Sequence, residues 1–244
     1  MESYCFSNPG EYHRERNMDN EDCVIILEND ELVVSVITDG AGGKRAGKKA
    51  AQLLAPAIAK WIRENFLELY YKNGDLVRGE AIRIINACLK PYAQSHGYEE
   101  TDLACTLMAA AIDSEGRCLC IHLGDGIILR QNDKYCGNVA EVISPPEKGA
   151  SLGSTFLTMN CNMWRHIHYC RWRTQKYDHI IMMTDGASDH IADLRGMDGW
   201  SLKVPCQLDA KSIVNYLKDQ HPVDDYSFAL ISNKSGHPNM PMVS

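Results

Sequence analysis

Short apolar runs rich in β-branched residues occupy about 23 to 28 and 32 to 38, and the polar turn Glu28-Asn29-Asp30-Glu31 between them predicts a hairpin. From about Arg45 to Tyr71 the period changes. Leu53, Leu54, Ala57, Ile58, Trp61 and Ile62 fall at helical spacing and make a wide apolar face, with Pro56 expected to kink the helix. A second helix is predicted over about Asp75 to Ser95, offering Ala81, Ile82, Ile85, Ala87, Cys88 and Leu89 for burial and stopping before Gly97. The stretches ACTLMAAAID, RCLCIHLGD and GIILRQND then predict three consecutive strands, an antiparallel meander turned at DSEG and GDG. Further strands are expected at about 154 to 159, 164 to 173, 178 to 184 and 226 to 232, and helices at 188 to 195 and 209 to 219. The last residues, NKSGHPNMPMVS, carry too little apolar surface to pack, so a single domain over 1–233 with a mobile tail over 234–244 is expected. Strands and helices that come in blocks rather than in strict alternation imply an α+β layering, antiparallel sheets with helices on the outside. No internal repeat of 20 to 50 residues is visible.

With 45% hydrophobic and 23% charged residues in 244, the chain has material for a sizeable core. A formal net charge of -7 excludes a general nucleic-acid binder, which needs clustered Lys and Arg. The dense basic cluster, Lys44, Arg45, Lys48 and Lys49, suits the solvated first turns of a helix as well as it suits attraction of an anionic substrate. No apolar run is long enough for a membrane span, and MESYCFSNPGEYHRER lacks the basic-then-apolar pattern of a secretory leader. Ten cysteines in so core-rich a chain are therefore read as reduced thiols of a cytoplasmic protein. Strand alternation places Cys118, Cys120 and His122 on one face, and His166, His168 and Cys170 on another. Neither set has the paired short spacings of a structural zinc site, and buried small thiols are the simpler reading.

Acids recur where strands end. Asp39 follows LVVSVIT and opens DGAGG; Asp125 lies in HLGDGI; Asp185 follows IIMMT; Asp224 and Asp225 precede YSFALI; Glu21 and Asp22 precede the first predicted strand. A lone Asp-Gly is a turn signal, and acids do collect in the turns of sheet proteins. The ordered set NED, DGxGG, GD, TDG and DD, from about Asn20 to Ile231, resembles the metal-dependent protein phosphatases, the type 2C serine/threonine phosphatases. CTLMAAAI and ASLGSTFLT are similar to the compact bacterial branch of that family.

That resemblance implies a two-layer antiparallel β-sandwich flanked by helices on both sides, with a dinuclear manganese or magnesium centre at one end. By matching motifs, Asp39 would bridge both metals and the Gly40 carbonyl would bind one of them. Asp22 falls on the first motif's ligand position, and Glu21 beside it would act mainly through metal-held water. Asp185 and Asp224 would complete the second metal's shell, and Asp125 with Asp185 would hold a third ion. The implied activity is hydrolysis of phosphoserine and phosphothreonine by a metal-bridging hydroxide, Asp39 and Asp185 being the catalytic carboxylates. The implied partner is a phosphorylated protein, the substrate of a bacterial serine/threonine kinase, acted on by a monomer; neither nucleic acid nor membrane is expected. The physics agrees. Converging carboxylates repel unless cations neutralise them, and an all-oxygen donor set suits magnesium or manganese rather than zinc. Two such ions about 3.5 to 4 Å apart can activate a shared water.

The pattern also departs from the family. Ala41 stands where many relatives carry a His that protonates the leaving group. The phosphate-binding Arg would fall at Asn17, so Arg16, or Arg14 beyond it, would have to be brought back by a bulge. Asp225 replaces the usual Asn after the final ligand, leaving Asp224 and Asp225 open to exchange of roles. The short, proline-stiffened stretch from Gly137 to Ser154 predicts an open site without a large flap. Two other readings stand beside this one: a non-catalytic relative that binds a phosphorylated partner, motivated by Ala41 and the displaced Arg16, and a phosphatase that keeps the chemistry but acts on small phosphate esters.

Overall fold

The computed structural model describes residues 1–133, 139–148, 155–194, 200–202 and 210–233. The expected tail lies outside them. From the N-terminus run β1 (Glu2–Asn8), the short helix α1 (Glu11–Glu15), β2 (Asp22–Glu28), β3 (Leu32–Asp39), and the long helices α2 (Gly47–Tyr71) and α3 (Gly74–His96). Next come β4 (Leu107–Asp113), β5 (Arg117–Leu123), β6 (Ile127–Asn132), β7 (Val139–Ser144), the one-turn helix α4 (Met163–His166), β8 (His168–Arg173) and β9 (Asp178–Met183). Helix α5 (Asp185–Ile191), β10 (Ala192–Leu194), β11 (Trp200–Leu202), α6 (Ala210–Gln220) and β12 (Tyr226–Asn233) follow.

The strands form two antiparallel sheets, one in the order β2-β3-β4-β5-β8 and the other in the order β1-β12-β9-β6-β7-β11-β10. Strand alternation explains how they stack. Val33 and Ile37 of β3 join Met108, Ala110, Cys118 and Cys120 against Ile128, Ile180, Met182 and Ala229 of the second sheet, filling the space between the sheets. Val34 and Val36, on the other face of β3, pack with Ala109, Ala111, Leu119 and Ile121 under α2 and α3. Helices α5 and α6 cover the outer face of the second sheet, where Ile191, Ile213 and Leu217 meet Leu129, Ile181, Met183 and Phe228. The layering is therefore helix, sheet, sheet, helix, the α+β sandwich expected. Burial on both faces is why LMAAAI reads as an unbroken apolar run before Asp113: every residue of β4 is buried.

The two long helices also follow the sequence. Asn73 caps α3 by accepting from the Asp75 N–H, and Gly97 closes it with φ 66°. Helix α2 continues through Pro56.

Several expectations are corrected. The three strands after α3 do not form a meander: β5 pairs with β4 and β8, whereas β6 pairs with β7 and β9 in the opposite sheet. The Gly124-Asp125-Gly126 turn carries the chain across the sandwich, and both edges of β5 are already taken by β4 and β8. The strand expected at 154 to 159 is absent over its described residues, apart from an isolated bridge at Thr155. The run from 164 to 173 divides into α4 and β8, which removes His166 from the face of His168 and Cys170. The helix placed at 188 to 195 begins at Asp185 and gives way to β10. Strands β1, β7, β10 and β11 and helix α1 were not anticipated; β1 is an edge strand held along β12, and its ESYCFSN offers only the short pair Tyr4 and Phe6 to the core beneath it.

Candidate active site

The acids singled out from the sequence sit at one end of the sandwich because of strand direction. Asp39 ends β3 and is the register partner of Asp22, which begins β2. Asp125 lies in the crossover that leaves β5, Asp185 lies two residues past β9, and Asp224 two residues before β12. Asp39, Asp125, Asp185, Asp224, Asp225 and Glu21 line one cavity of about 700 Å³, together with Gly40 to Lys44, Thr106, Thr155, Tyr12 and His13. Asp22 is buried behind it.

Local contacts fix each acid. Asp22 Oδ2 accepts from Ser227 Oγ at 2.6 Å and from Thr184 Oγ1 at 3.4 Å. Its Oδ1 is buried without a donor, with the Asp39 carboxyl close by. The Asp39 backbone N–H donates to Thr106 Oγ1 at 3.0 Å, while its carbonyl accepts from the Thr106 N–H at 2.8 Å. Thr155 Oγ1 donates to Asp125 Oδ2. Asp185 Oδ1 accepts from the Gly186 N–H at 2.8 Å. Asp224 Oδ1 accepts from the Asp225 N–H at 2.9 Å.

Asp225 is differently engaged. Its Oδ1 accepts from the Gly10 N–H and from His13 Nδ1, both at 2.8 Å, and its Oδ2 accepts from the Glu21 N–H at 2.6 Å. Both oxygens are thus committed to holding the N-terminal segment against the strand that follows. Arg16 is placed elsewhere: its side chain is half exposed, lies 3.9 Å over the Tyr12 ring and donates to the Tyr12 carbonyl at 3.1 Å, and it does not line the cavity. The chain turns at Asn17, φ 52°, and Arg14 is exposed.

The glycines beside Asp39 serve packing more than ligand clearance. A Cβ on Gly40 would lie 2.6 Å from the backbone of Gly47 and Lys48, so the start of α2 requires Gly there, whereas Gly42 has open space around it.

The electrostatics record the crowding. Burial, then the charges of Asp22, Asp185, Asp224 and Asp125, hold the Asp39 carboxyl well above the usual range. Burial, with Asp125 and Asp224 adding to it, pushes Asp185 up to about 7. Burial also raises Asp22 to about 7, against the hydrogen bond from Ser227, which favours its ionised form. Asp224 and Glu21 are raised, again chiefly by burial. Among the described residues no three His, Cys, Asp or Glu side chains stand close enough to form a ready-made chelate. The donor set nevertheless fits hard divalent cations: it is all oxygen, it carries excess negative charge, and Asp22 Oδ1 is orphaned.

A family model described as protein phosphatase 2C matches residues 9–220. The chain belongs to the protein phosphatase 2C family. Solved members of similar shape include a bacterial serine phosphatase, 18% identical, with a TM-score of 0.70 over 98% of this chain and 100% of that one. The serine/threonine phosphatase Stp1 from Staphylococcus aureus is 18% identical with a TM-score of 0.69, covering 97% of this chain and 96% of its own. The catalytic domain of the serine/threonine protein phosphatase PstP, in complex with two manganese ions, is 17% identical with a TM-score of 0.64, covering 94% and 96%. No curated protein matches this chain at the sequence level.

Within this phosphatase 2C fold the other ligand-like clusters have internal explanations. Cys118 and Cys120 pack between the sheets, and His122 Nδ1 bonds Ser144 Oγ at 2.7 Å. Burial, with a smaller contribution from His168, lowers His122 to about 3, so it stays neutral. His166 and His168 bracket Glu147, at 2.6 and 2.9 Å. Sequence reasoning missed Thr106, Thr155, Ser227 and His13, each of which meets the site through the fold rather than through a motif. No helix among the described residues is long and apolar enough to cross a membrane.

Proposed function

We propose that this chain is a metal-dependent protein serine/threonine phosphatase. The observation that carries the reading is the convergence of Asp39, Asp125, Asp185 and Asp224 on one cavity with Asp22 behind it, the carboxyls of Asp22, Asp39, Asp185 and Asp224 being raised by burial and by neighbouring charge. Such a cluster is costly as a structural device and is relieved by cations. Asp22, Asp39, Asp125, Asp185, Asp224 and the Gly40 carbonyl would hold two manganese or magnesium ions, and Asp125 with Asp185 a third. When bound, the ions would supply an activated water nucleophile and neutralise phosphate charge. Asp225, with both oxygens committed to N–H donors, is assigned to positioning, which gives the ligand role to Asp224. Glu21 lines the cavity beside them. Ser227 and Thr184 keep the Asp22 carboxyl oriented, Thr155 does the same for Asp125, and Thr106 holds the backbone at Asp39. The substrate class, phosphoserine and phosphothreonine in a protein phosphorylated by a bacterial-type kinase, is supported by the family.

The test is hydrolysis of p-nitrophenyl phosphate and of a phosphothreonine peptide with manganese, with magnesium and with chelator, using Asp39→Asn as control. The expected result is metal-dependent turnover of both, reduced at least about 100-fold in the variant, since even outer partners of metal ligands cost 10- to 100-fold. Absence of turnover in folded, manganese-saturated protein would favour the phosphoprotein-binding reading instead. Hydrolysis of the aryl ester alone would favour a small-ester phosphatase.

A further inference from the structure

We propose that His13 binds the substrate's phosphoryl group, donating a hydrogen bond from Nε2 to a non-bridging oxygen; this rests on the phosphatase reading above. The segment between β1 and β2 offers three basic side chains, His13, Arg14 and Arg16. Both arginines are exposed, and Arg16 is folded back on Tyr12, outside the cavity. His13 alone of the three is buried and lines the cavity that the carboxylates share.

Its ring is held for this purpose. Asp225 accepts from two backbone N–H groups and from His13, so the carboxylate is an acceptor and Nδ1 must carry the hydrogen. Nε2 is then the nitrogen left to act, and it makes no hydrogen bond within the chain among the described residues. An imidazole backed by a carboxylate donates from Nε2 when the ring carries its second proton. Asp225 on one side and a phosphate oxygen on the other would then both be acceptors for the same ring, one at each nitrogen. The cavity gives an anion little else from the protein, for its charged lining is otherwise Glu21, five aspartates and Lys44. A single imidazole donor binds less tightly than a bidentate guanidinium, so the resulting phosphate affinity is expected to be modest.

The rival explanation is that His13 only braces Asp225. Variants separate the two. His13→Asn places an amide N–H where Nδ1 stands and can keep the Asp225 bond while removing Nε2; His13→Gln reaches toward the Nε2 position. Inorganic phosphate is titrated by calorimetry into manganese-saturated wild type, His13→Asn, His13→Gln and Arg16→Ala. The KM and kcat for p-nitrophenyl phosphate and the thermal midpoint are measured on the same samples. Loss of a charge-assisted hydrogen bond predicts phosphate affinity about 10- to 100-fold weaker in His13→Asn, with KM raised more than kcat falls. Partial recovery is expected in His13→Gln, and Arg16→Ala should stay within about twofold of wild type. If His13→Asn is folded and binds phosphate like wild type, or if the loss appears in Arg16→Ala instead, the assignment to His13 is overturned while wild-type turnover leaves the phosphatase reading standing. Wild type that neither binds phosphate nor turns over substrate would remove both.

Discussion

Replacing Asp185 with Asn should stabilise the metal-free protein at neutral pH, although the same change should abolish metal-dependent turnover. Asp185 titrates near 7 in the folded chain against 3.8 for the free side chain, because burial and the charges of Asp125 and Asp224 disfavour its ionised form. The folded state therefore binds more protons than the unfolded state between those values, and stability falls as pH rises through the window from about 4 to about 7. A rise of about three pH units corresponds to roughly 4 kcal/mol. Solvent in the cavity screens part of this, and about half is the expected net effect. Asn retains an oxygen to accept the Gly186 N–H, so the substitution removes charge and little else. Thermal melts of chelated wild type and Asp185→Asn at pH 4, 6 and 8 should coincide at pH 4. They should diverge by about 4 to 8 °C at pH 8, at the usual 2 to 4 °C per kcal/mol for a chain of this length. Manganese should raise the midpoint of wild type at pH 8 by mass action and do less for the variant. Equal midpoints at pH 8, or a variant less stable than wild type there, would refute the argument that these carboxylates are held together under mutual repulsion.

Ser227→Ala removes the 2.6 Å donor to Asp22 Oδ2, leaving the 3.4 Å contact from Thr184. A loss of about 1 to 3 kcal/mol is expected in urea unfolding at pH 8, where Asp22 is largely ionised, and less at pH 5; a larger loss at pH 5 would contradict the assignment. Gly186→Ala would put a Cβ 2.2 Å from the Asp225 carbonyl oxygen, a backbone atom that cannot swing away. It should cost about 3 kcal/mol and weaken inorganic phosphate binding through displacement of Asp225 and His13; unfolding free energy within about 0.5 kcal/mol of wild type would refute the close packing of Gly186 on Asp225.

Some of this molecule was legible because local chemistry carries it. The hairpin of β2 and β3, helices α2 and α3, and the buried run of β4 follow from periodicity and turn residues, which act over a few positions. The acids were legible as an ordered set. Asp39, Asp125, Asp185 and Asp224 each follow or precede an apolar strand, and a strand must end where its apolar pattern does.

What tertiary structure alone decided is where those ends meet. Nothing in HLGDGI says whether the chain turns back beside β5 or crosses to the other sheet. β8, some 45 residues later, occupies the free edge of β5 and settles it. That crossover brings Asp125 to Asp39 and Asp185. The placement of His13 and Arg16 was equally hidden. Counting back from Glu21 assumes an uninterrupted loop, but α1 and the turn at Asn17 intervene, and the Asp225 carboxylate, more than 200 residues away, selects the histidine. Sequence fixes which residues can form strands, turns and ligands because those preferences are local; long-range pairing and burial choose which of them share a cavity, because both depend on partners that no short window contains.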